Sequence, residues 1–251
     1  MSLVITPLEH IPLIEKGDDL SEFVLQSIKK MQYTLQNGDI LVFAQKVVSK
    51  SEGRRVYLPD ITPSQKAANL AAEIEKDPRL VEMILQESKK VLRKRPGLII
   101  VEHKLGFICA NAGIDHSNVA GSDDWVLLLP EDPDTSAKQI RAKLEKATGA
   151  RLGVLIIDSH GRPWRNGTVG VTIGLSGFPG LVDLRGEIDL FGYELRVTQV
   201  GASDEVAAAA SLMMGQVAEG TPVVHVRGFP YPMREAGLDE LIRPEEQDMF
   251  R

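Results

Sequence analysis

The fold is decided above all by one stretch, Val154-Leu155-Ile156-Ile157-Asp158-Ser159-His160-Gly161-Arg162. A short apolar run that gives way to a carboxylate and small polar residues predicts a buried strand ending near Asp158. A helix is predicted before it over 136–147, and another strand before that helix over 125–129. This strand–helix–strand passage indicates a crossover unit. Asp158 is then expected at the rim of a sheet, where ligands commonly bind.

A second stretch repeats the pattern, Phe107-Ile108-Cys109-Ala110-Asn111-Ala112-Gly113-Ile114-Asp115-His116-Ser117-Asn118. Two such carboxylates, brought together, could hold a hard divalent cation, since Mg²⁺ is usually bound by one or two carboxylates plus substrate phosphates. The pair therefore suggests phosphate chemistry. From the residues alone, Asp115 could equally serve an Asx turn with Asn118, and Asp158 could be only a cap or turn residue.

Composition limits the classes of protein that the chain can belong to. It has 251 residues, 43% hydrophobic and 25% charged, which is ordinary for a globular protein of one large domain or two lobes. A formal net charge of -6 argues against nucleic-acid binding. The single cysteine, Cys109, excludes a disulfide within the chain. No apolar run approaches the ~20 residues of a membrane helix, so we expect a cytoplasmic protein without a membrane partner.

Several common phosphate-binding and catalytic signatures are absent from the sequence. It contains no Gly-Lys pair, no Gly-x-Gly and no Gly-x-Ser-x-Gly, and its histidines do not fall at zinc-ligand spacing. Cationic side chains would have to bind phosphates instead. Lys50, on a loop expected after a strand at 40–48, is one candidate, and Arg162 and Arg165 are others because a guanidinium can bind phosphate at two points. His160 follows Asp158 closely, although a solvated rim histidine is equally expected.

Two further segments carry expectations about local structure. Glycines are dense between Gly153 and Gly192, which could indicate a loop system around a ligand or tight turns between short strands. A helix that begins after Asp77-Pro78 is predicted to run through Val91, so that the basic residues at 89–95 would lie at its end.

A series of short motifs follows one after another along the chain from about Pro7 to Gly228, which is nearly its whole length. In order they are Pro12-Leu13-Ile14, Gly17-Asp18-Asp19-Leu20, Val48-Ser49-Lys50-Ser51-Glu52-Gly53-Arg54, Asn111-Ala112-Gly113-Ile114-Asp115 with Ser117-Asn118, Leu129-Pro130, Asp158-Ser159 with Gly161-Arg162, Asp204-Glu205 and Val226-Arg227-Gly228. In these motifs the chain resembles the coenzyme F420-0:L-glutamate ligase family, also called F420 γ-glutamyl ligase. The Asn-Ala-Gly-Ile-Asp-x-Ser-Asn segment is the most specific of them.

The resemblance implies an α+β fold with mixed sheets and flanking helices, as one F420 ligase-like domain over 1–251. Two lobes, 1–150 and 151–251, are the alternative description. It also implies a homodimer with the nucleotide near the subunit interface.

The activity implied by the resemblance is an amide-forming ligase that uses GTP and a divalent cation, Mg²⁺ or Mn²⁺. It would join L-glutamate to coenzyme F420-0 through an acyl phosphate, followed by further γ-linked glutamate addition. Two alternatives remain open: a ligase of the same fold with a different carboxylate acceptor, and a non-catalytic relative that binds nucleotide or deazaflavin.

The resemblance also assigns residues. The metal would be bound by Asp115, Asp158, Ser159 and Gln216, and the catalytic residues would be Asp115, Asp158, Lys50 and Arg162. GTP would be surrounded by Ile11, Pro12, Leu13, Ile14, Gln45, Lys46, Lys50, Asn118, Met214, Gly215, Gln216, Val217, Ala218, Glu219, Gly220 and Thr221.

Three positions depart from the family pattern. Ser159 stands where threonine is usual and keeps the hydroxyl. Gln216 stands where some members have glutamate, which keeps an oxygen ligand but loses a charge. Gln45-Lys46 replace small hydroxyl residues.

Overall fold

The computed structural model describes residues 2–119 and 122–249 of the chain. Its strands are β1 (Val4–Pro7), β2 (Ile40–Ala44), β3 (Arg55–Tyr57), β4 (Ser88–Arg95), β5 (Leu98–His103), β6 (Ile108–Ala110), β7 (Trp125–Leu127), β8 (Gly153–Arg162), β9 (Arg165–Ser176), β10 (Val182–Asp183), β11 (Gln199–Val200) and β12 (Val223–Arg227). Its α-helices are α1 (Leu20–Lys30), α2 (Gln45–Ser51), α3 (Gln65–Ile74), α4 (Pro78–Gln86), α5 (Pro133–Thr148) and α6 (Ala202–Met214). The α+β class with mixed sheets and flanking helices is confirmed.

A five-stranded sheet in the order β1-β12-β2-β8-β9 forms the centre of the fold. Its β2 and β8 run parallel, with Ile40 opposite Gly153 and Ala44 opposite Ile157, whereas the other neighbours are antiparallel. Both β2 and the first half of β8 are apolar throughout because helices cover both faces of the sheet. Residues of α1 and α5 pack on one face, and residues of α6 pack on the other.

A second, smaller unit lies between β2 and β8 in the sequence. It contains the pair β3-β7, the three-stranded sheet β4-β5-β6, and helices α3 and α4 around a separate apolar core. Phe107 packs against both this core and the core under the central sheet. The contact lies where β6 meets the central sheet at β8.

The crossover connection to β8 starts from a different strand than the one predicted. The strand at 125–129 is shorter, and as β7 it pairs with β3 in another sheet. The parallel neighbour of β8 is β2, so the crossover spans the whole small unit together with α5. The prediction chose the strand nearest to β8 in the sequence, at 125–129. The strand that pairs with β8 is β2, which is far from it along the chain.

The strand predicted at 40–48 is too long. The observed strand β2 ends at Ala44, and α2 begins at the next residue. Val47 and Val48 are consecutive and both buried in the same core, which an alternating strand does not allow. One turn of helix instead brings Ser49 back against Gln45, whose side-chain oxygen accepts a hydrogen bond from the Ser49 hydroxyl at 2.9 Å. Lys50 therefore lies on a helix and not on a loop after a strand.

The helix predicted to run through Val91 ends at Gln86, and the basic run belongs to β4. This segment turns back at Gly97, which has a φ of 78°, and pairs with β5. It is an edge strand whose lysines are mostly exposed, and charged edge strands resist pairing with other chains. None of the helices in the described ranges has the length and apolar character that a membrane crossing requires.

The glycine-dense segment contains one long antiparallel hairpin, β8–β9, instead of several short strands. Two of its glycines allow helices to lie directly on the sheet. A Cβ atom at Gly170 would lie 2.5 Å from the carbonyl oxygen of Ala207 in α6, and one at Gly174 would overlap Pro133 in α5. Gly161 has open space around it.

Replacing Gly174 with alanine should destabilise the protein by about 1–3 kcal/mol, because α5 must move away from the sheet. Gly161→Ala on the same hairpin is the matched control and should leave the free energy of unfolding nearly unchanged. Urea unfolding followed by circular dichroism measures both. Equal stabilities for the two variants would contradict the proposed helix–sheet contact.

Candidate active site

A cavity of about 600 Å³ opens at the edge of the central sheet where β2 and β8 end. The parallel pairing brings the two carboxyl ends to one edge, which is the usual place for ligands in such sheets. Every residue predicted to bind metal or nucleotide lines this cavity. These residues are Ile11, Pro12, Leu13, Ile14, Gln45, Lys46, Lys50, Asp115, Asn118, Asp158, Ser159, Met214, Gly215, Gln216, Val217, Ala218, Glu219, Gly220 and Thr221.

Asp115 is held in the cavity by its main chain and by an unusual turn. Its N–H donates to the Leu127 carbonyl oxygen at 3.0 Å, and its own carbonyl oxygen accepts from the Leu127 N–H at 2.9 Å. The preceding residues Asn111, Ala112 and Gly113 all have positive φ. Only glycine adopts this conformation freely, so the turn is a strained element of the kind found at functional sites.

The Asp115 carboxylate is anchored by two side chains at the start of α2. Gln45 Nε2 donates to its Oδ2 at 2.7 Å, and Lys46 Nζ lies 3.5 Å from the same oxygen. Gln45 is fixed in turn by the hydroxyl of Ser49, and both of these residues are buried. Sequence reasoning gave Ser49 no part in holding Gln45, because Gln45 was predicted to lie in a strand that ends before Ser49. Its signal is the four-residue spacing from Gln45, which is meaningful only on a helix.

Burial raises the pKa of the Asp115 carboxyl to about 6, against the opposing effect of the Lys46 ammonium. The negative charge of Asp158 pushes the pKa in the same direction as burial. The two carboxylates are thus close enough to repel each other. A cation between them would remove the repulsion and favour the charged form of Asp115.

Asp158 lies on β8, where the buried part of the strand meets the cavity. Its Oδ2 is 3.1 Å from Nε2 of His160, the next residue on the same side of the strand. The His160 ring contacts Phe107 at a centroid distance of 5.3 Å. His160 therefore lies between Asp158 and the small unit, a contact that the sequence suggested only by proximity.

Ser159 and Gln216 lie beside each other in the lining of the cavity. The Ser159 hydroxyl donates to Gln216 Oε1 at 3.2 Å, and Gln216 Nε2 donates to the Ser211 hydroxyl at 3.3 Å. Gln216 belongs to the loop 215–221, which is closed by a hydrogen bond from the Val217 N–H to Glu219 Oε2 at 2.8 Å. Asn118 Nδ2 donates to the same loop, at the Val217 carbonyl oxygen, over 3.1 Å.

Lys50 and Arg162, the two cations predicted to be catalytic, are placed differently. Lys50 lines the cavity, and burial together with the charge of Arg55 lowers the pKa of its ammonium. Arg162 is not among the residues that line the cavity, because β8 continues four residues beyond Asp158, roughly 13 Å along the strand. Its guanidinium donates to the Asn166 carbonyl oxygen at 2.9 Å at the hairpin tip. This placement does not favour the catalytic role predicted for Arg162.

The donor set of the cavity suits a hard cation. It includes the carboxylates of Asp115 and Asp158, the hydroxyl of Ser159 and the amide oxygen of Gln216, which are all oxygen ligands of the type that Mg²⁺ and Mn²⁺ prefer. The Glu219 carboxylate also lines the cavity, and its Oε2 accepts the Val217 N–H. Within residues 2–119 and 122–249, no group of three or more His, Cys, Asp and Glu side chains is arranged to hold a metal. Protein carboxylates would therefore supply only part of a coordination shell.

Fold and cavity together describe an α+β protein whose oxygen ligands and lysines suit a phosphate-bearing ligand. Residues 9–228 match the family model of F420-0:gamma-glutamyl ligase. The coenzyme F420:L-glutamate ligase of Methanothermobacter thermautotrophicus is 44% identical, with 100% of each chain covered. The proteins of the same name from Methanococcus maripaludis and Methanocaldococcus jannaschii are 46% and 44% identical and cover 96% of this chain, over 95% and 94% of their own lengths.

The chain belongs to the F420-0:gamma-glutamyl ligase family. The resemblance drawn from the sequence motifs is confirmed, and with it the expectation of an amide-forming ligase.

Asp115→Asn should stabilise the ligand-free protein at pH 7 by ~1–3 kcal/mol, because it removes a charge whose burial raises the pKa to about 6. The folded-state pKa lies above the unfolded value near 3.8, so the charge destabilises the fold above about pH 6 and not below pH 4. The difference between variant and wild type should therefore vanish as the pH falls from 6 to 4. Thermal unfolding between pH 4 and 7 measures it, and a variant that is less stable at pH 7 would contradict the account.

Proposed function

We propose that the chain is a ligase that uses GTP and a divalent cation, Mg²⁺ or Mn²⁺, to join L-glutamate to coenzyme F420-0 through an acyl phosphate. Further glutamates would follow in γ-linkage. The names of the family relatives support the two substrates. The observation that carries the rest is the meeting of Asp115, Asp158, Lys46 and Lys50 in one cavity.

The chemistry requires activation of a carboxylate, which does not condense with an amine at neutral pH. In the first step an oxygen of the acceptor carboxylate attacks the γ-phosphorus of GTP, forming an acyl phosphate and releasing GDP. In the second step the glutamate amine attacks the acyl carbon, an amide forms, phosphate leaves and the amine loses a proton. Phosphoryl transfer depends mostly on positioning and charge stabilisation.

The side chains of the cavity match these needs. Asp115 and Asp158 would hold the cation, with the Ser159 hydroxyl and the Gln216 amide oxygen beside them. The bound cation would neutralise negative charge on the β- and γ-phosphates. The ammonium groups of Lys46 and Lys50 would bind phosphate oxygens from the α2 side.

Other residues would keep the site ordered and poor in water. Gln45, fixed by Ser49, would hold the Asp115 carboxylate in one orientation, so that little reorganisation is needed when charge moves. The segments 11–14 and 214–221 would enclose the nucleotide from two sides. Exclusion of water protects an acyl phosphate from hydrolysis before the amine arrives.

Asp115→Asn should lower the rate of ligation by about 10²- to 10³-fold, because one of two metal-holding charges is lost while the fold is kept. Phosphate release should be measured with GTP, Mg²⁺, L-glutamate and coenzyme F420-0 all present, and with each left out in turn. Asp123→Asn, which changes an exposed carboxylate outside the cavity, is the matched control and should match the wild type.

The same assay separates the alternatives. Full activity of Asp115→Asn would remove the metal role from this residue. Phosphate release with another carboxylic acid, and none with coenzyme F420-0, would indicate a different acceptor. Metal-dependent nucleotide binding without product from any acceptor would indicate a non-catalytic relative.

The homodimer is also part of the proposal, and one exposed surface supports it. Residues 182–200 form an arm in which β10 pairs with β11 and the hairpin is closed by hydrogen bonds to the Asp189 carboxylate. Its tip exposes large apolar side chains: Ile188 is 61%, Leu190 99% and Phe191 95% exposed. Such a patch on an ordered arm is typical of a protein–protein contact.

Leu190→Asp combined with Phe191→Asp should convert the dimer into a monomer, because charges at the arm tip would have to be buried without partners. Sedimentation velocity measures the change in mass. Met249→Asp, at an equally exposed apolar residue of the C-terminal tail, is the control and should remain dimeric. A double variant that stays dimeric would exclude the arm as the interface.

A further inference from the structure

The tip of the hairpin β8–β9 is a two-residue loop that carries an exposed tryptophan. Arg162 pairs with Arg165, and Pro163 and Trp164 connect the two strands. Trp164 has a φ of 56° and is 81% exposed. A bulky residue rarely adopts a positive φ, and glycine or asparagine is usual at such loop positions. Both the conformation and the exposure of Trp164 are therefore unfavourable for the fold.

The two arginines beside the loop are a second unfavourable arrangement. Residues that pair across two antiparallel strands place their side chains on the same face, and like charges in such a pair destabilise a hairpin. The guanidinium of Arg162 is kept at the tip by its hydrogen bond to the Asn166 carbonyl oxygen at 2.9 Å. The sequence has no acidic residue between Asp158 and Asp183, so the hairpin beyond Asp158 supplies no counter-charge. A bound anionic group would relieve the repulsion.

The hairpin runs directly from the cavity to this tip. Asp158, Ser159, His160 and Gly161 all line the cavity, and the next residue is Arg162. Four residues of extended strand separate Asp158 from Arg162, roughly 13 Å. The nucleotide is proposed to lie between the segments 11–14 and 214–221, and neither segment belongs to this hairpin. A long ligand along β8 could thus have one end at the tip and the other in the cavity.

We propose that the hairpin tip, residues 162–165, binds the deazaflavin ring of the acceptor, with the Trp164 indole stacked on the ring. The guanidinium groups of Arg162 and Arg165 lie beside the ring and the acidic chain that carries the reacting carboxylate. This inference rests on the proposed ligase function and adds the place where the acceptor ring is bound.

The contact offsets what is unfavourable at the tip of the free protein. Stacking covers the exposed indole, and an aromatic pair is more stable than the burial of its area alone would give. The acidic chain lies between two guanidinium groups, which bind anions and also stack on aromatic faces. Strained and exposed residues of this kind are found where a ligand uses them.

The first experiment is calorimetric titration of coenzyme F420-0 into wild type, Trp164→Ala, Trp164→Phe and Met249→Ala. Loss of the stack in Trp164→Ala should weaken binding about tenfold, and Trp164→Phe should keep most of the affinity. Met249→Ala removes another exposed apolar side chain outside the cavity and should bind as the wild type does. All four proteins should bind GTP equally, which shows that the cavity is intact. Equal binding of coenzyme F420-0 by Trp164→Ala and wild type would overturn the inference.

The second experiment separates recognition of the ring from recognition of the acid. Deazariboflavin has the ring and no acidic group, so Trp164→Ala should weaken its binding and Arg165→Gln should leave it unchanged. For coenzyme F420-0, Arg165→Gln should weaken binding several-fold and reduce its dependence on salt. A wild type that does not bind deazariboflavin, or a Trp164→Ala variant that binds it as well as the wild type, would overturn the stacking.

The third experiment is steady-state kinetics of the same variants. Trp164→Ala should raise KM for coenzyme F420-0 about tenfold and leave kcat and KM for GTP and L-glutamate unchanged, because the ring does not take part in the reaction. A raised KM for L-glutamate instead would assign the tip to the amino acid. Sedimentation velocity that shows a monomer for Trp164→Ala, with unchanged affinity for coenzyme F420-0, would assign the tip to a subunit contact. Either result would overturn the inference.

The proposed function and this inference can fail separately. A wild type that binds neither GTP nor coenzyme F420-0 would refute both. Turnover of coenzyme F420-0 with an unchanged KM in Trp164→Ala would refute only the role of the hairpin tip.

Discussion

The structure of the site depends on the parallel pairing of β2 with β8. Because Ala44 lies opposite Ile157, the next residues of both strands emerge at one edge of the sheet. One strand continues into Gln45 and Lys46 at the start of α2, and the other continues into Asp158. A shift of the register by one residue would turn every side chain of β8 to the other face and bury Asp158 under a helix. The apolar run of each strand, covered on both faces, holds this register.

The small unit, which lies between these two strands in the sequence, supplies Asp115 to the site. Its Asp115 reaches the cavity through a turn of three positive-φ residues, and its backbone pairing with Leu127 keeps the turn in place. The cost is a half-buried carboxylate whose pKa is raised to about 6 by burial. Strain and an unfavourable charge of this kind are tolerated where a bound ligand relieves them. The ligand-free fold thus gives up stability at the position where the cation is proposed to bind.

Local signals in the sequence predicted part of this arrangement. The helix start at Asp77-Pro78 depends on two neighbouring residues, and the structure has Asp77 as the N-cap of α4. The cavity residues came from a motif resemblance, and the structure gathers them around one cavity. Local patterns in the sequence could not predict which segments pack or pair with each other. The apolar residues at 40–48 fit a strand or a strand followed by a helix, and only the shared core decides between them. Likewise, the basic residues at 89–95 became an edge strand because β5 lies beside them.

The central claim is that Asp115 and Asp158 bind one cation together beneath a triphosphate. The most direct measurement is a crystal structure with Mn²⁺ and a non-hydrolysable GTP analogue, with data collected at the manganese absorption edge. The account predicts an anomalous peak within bonding distance of an oxygen of each carboxylate and of a phosphate oxygen. A peak that contacts neither carboxylate, or a nucleotide seated outside the cavity, would contradict it.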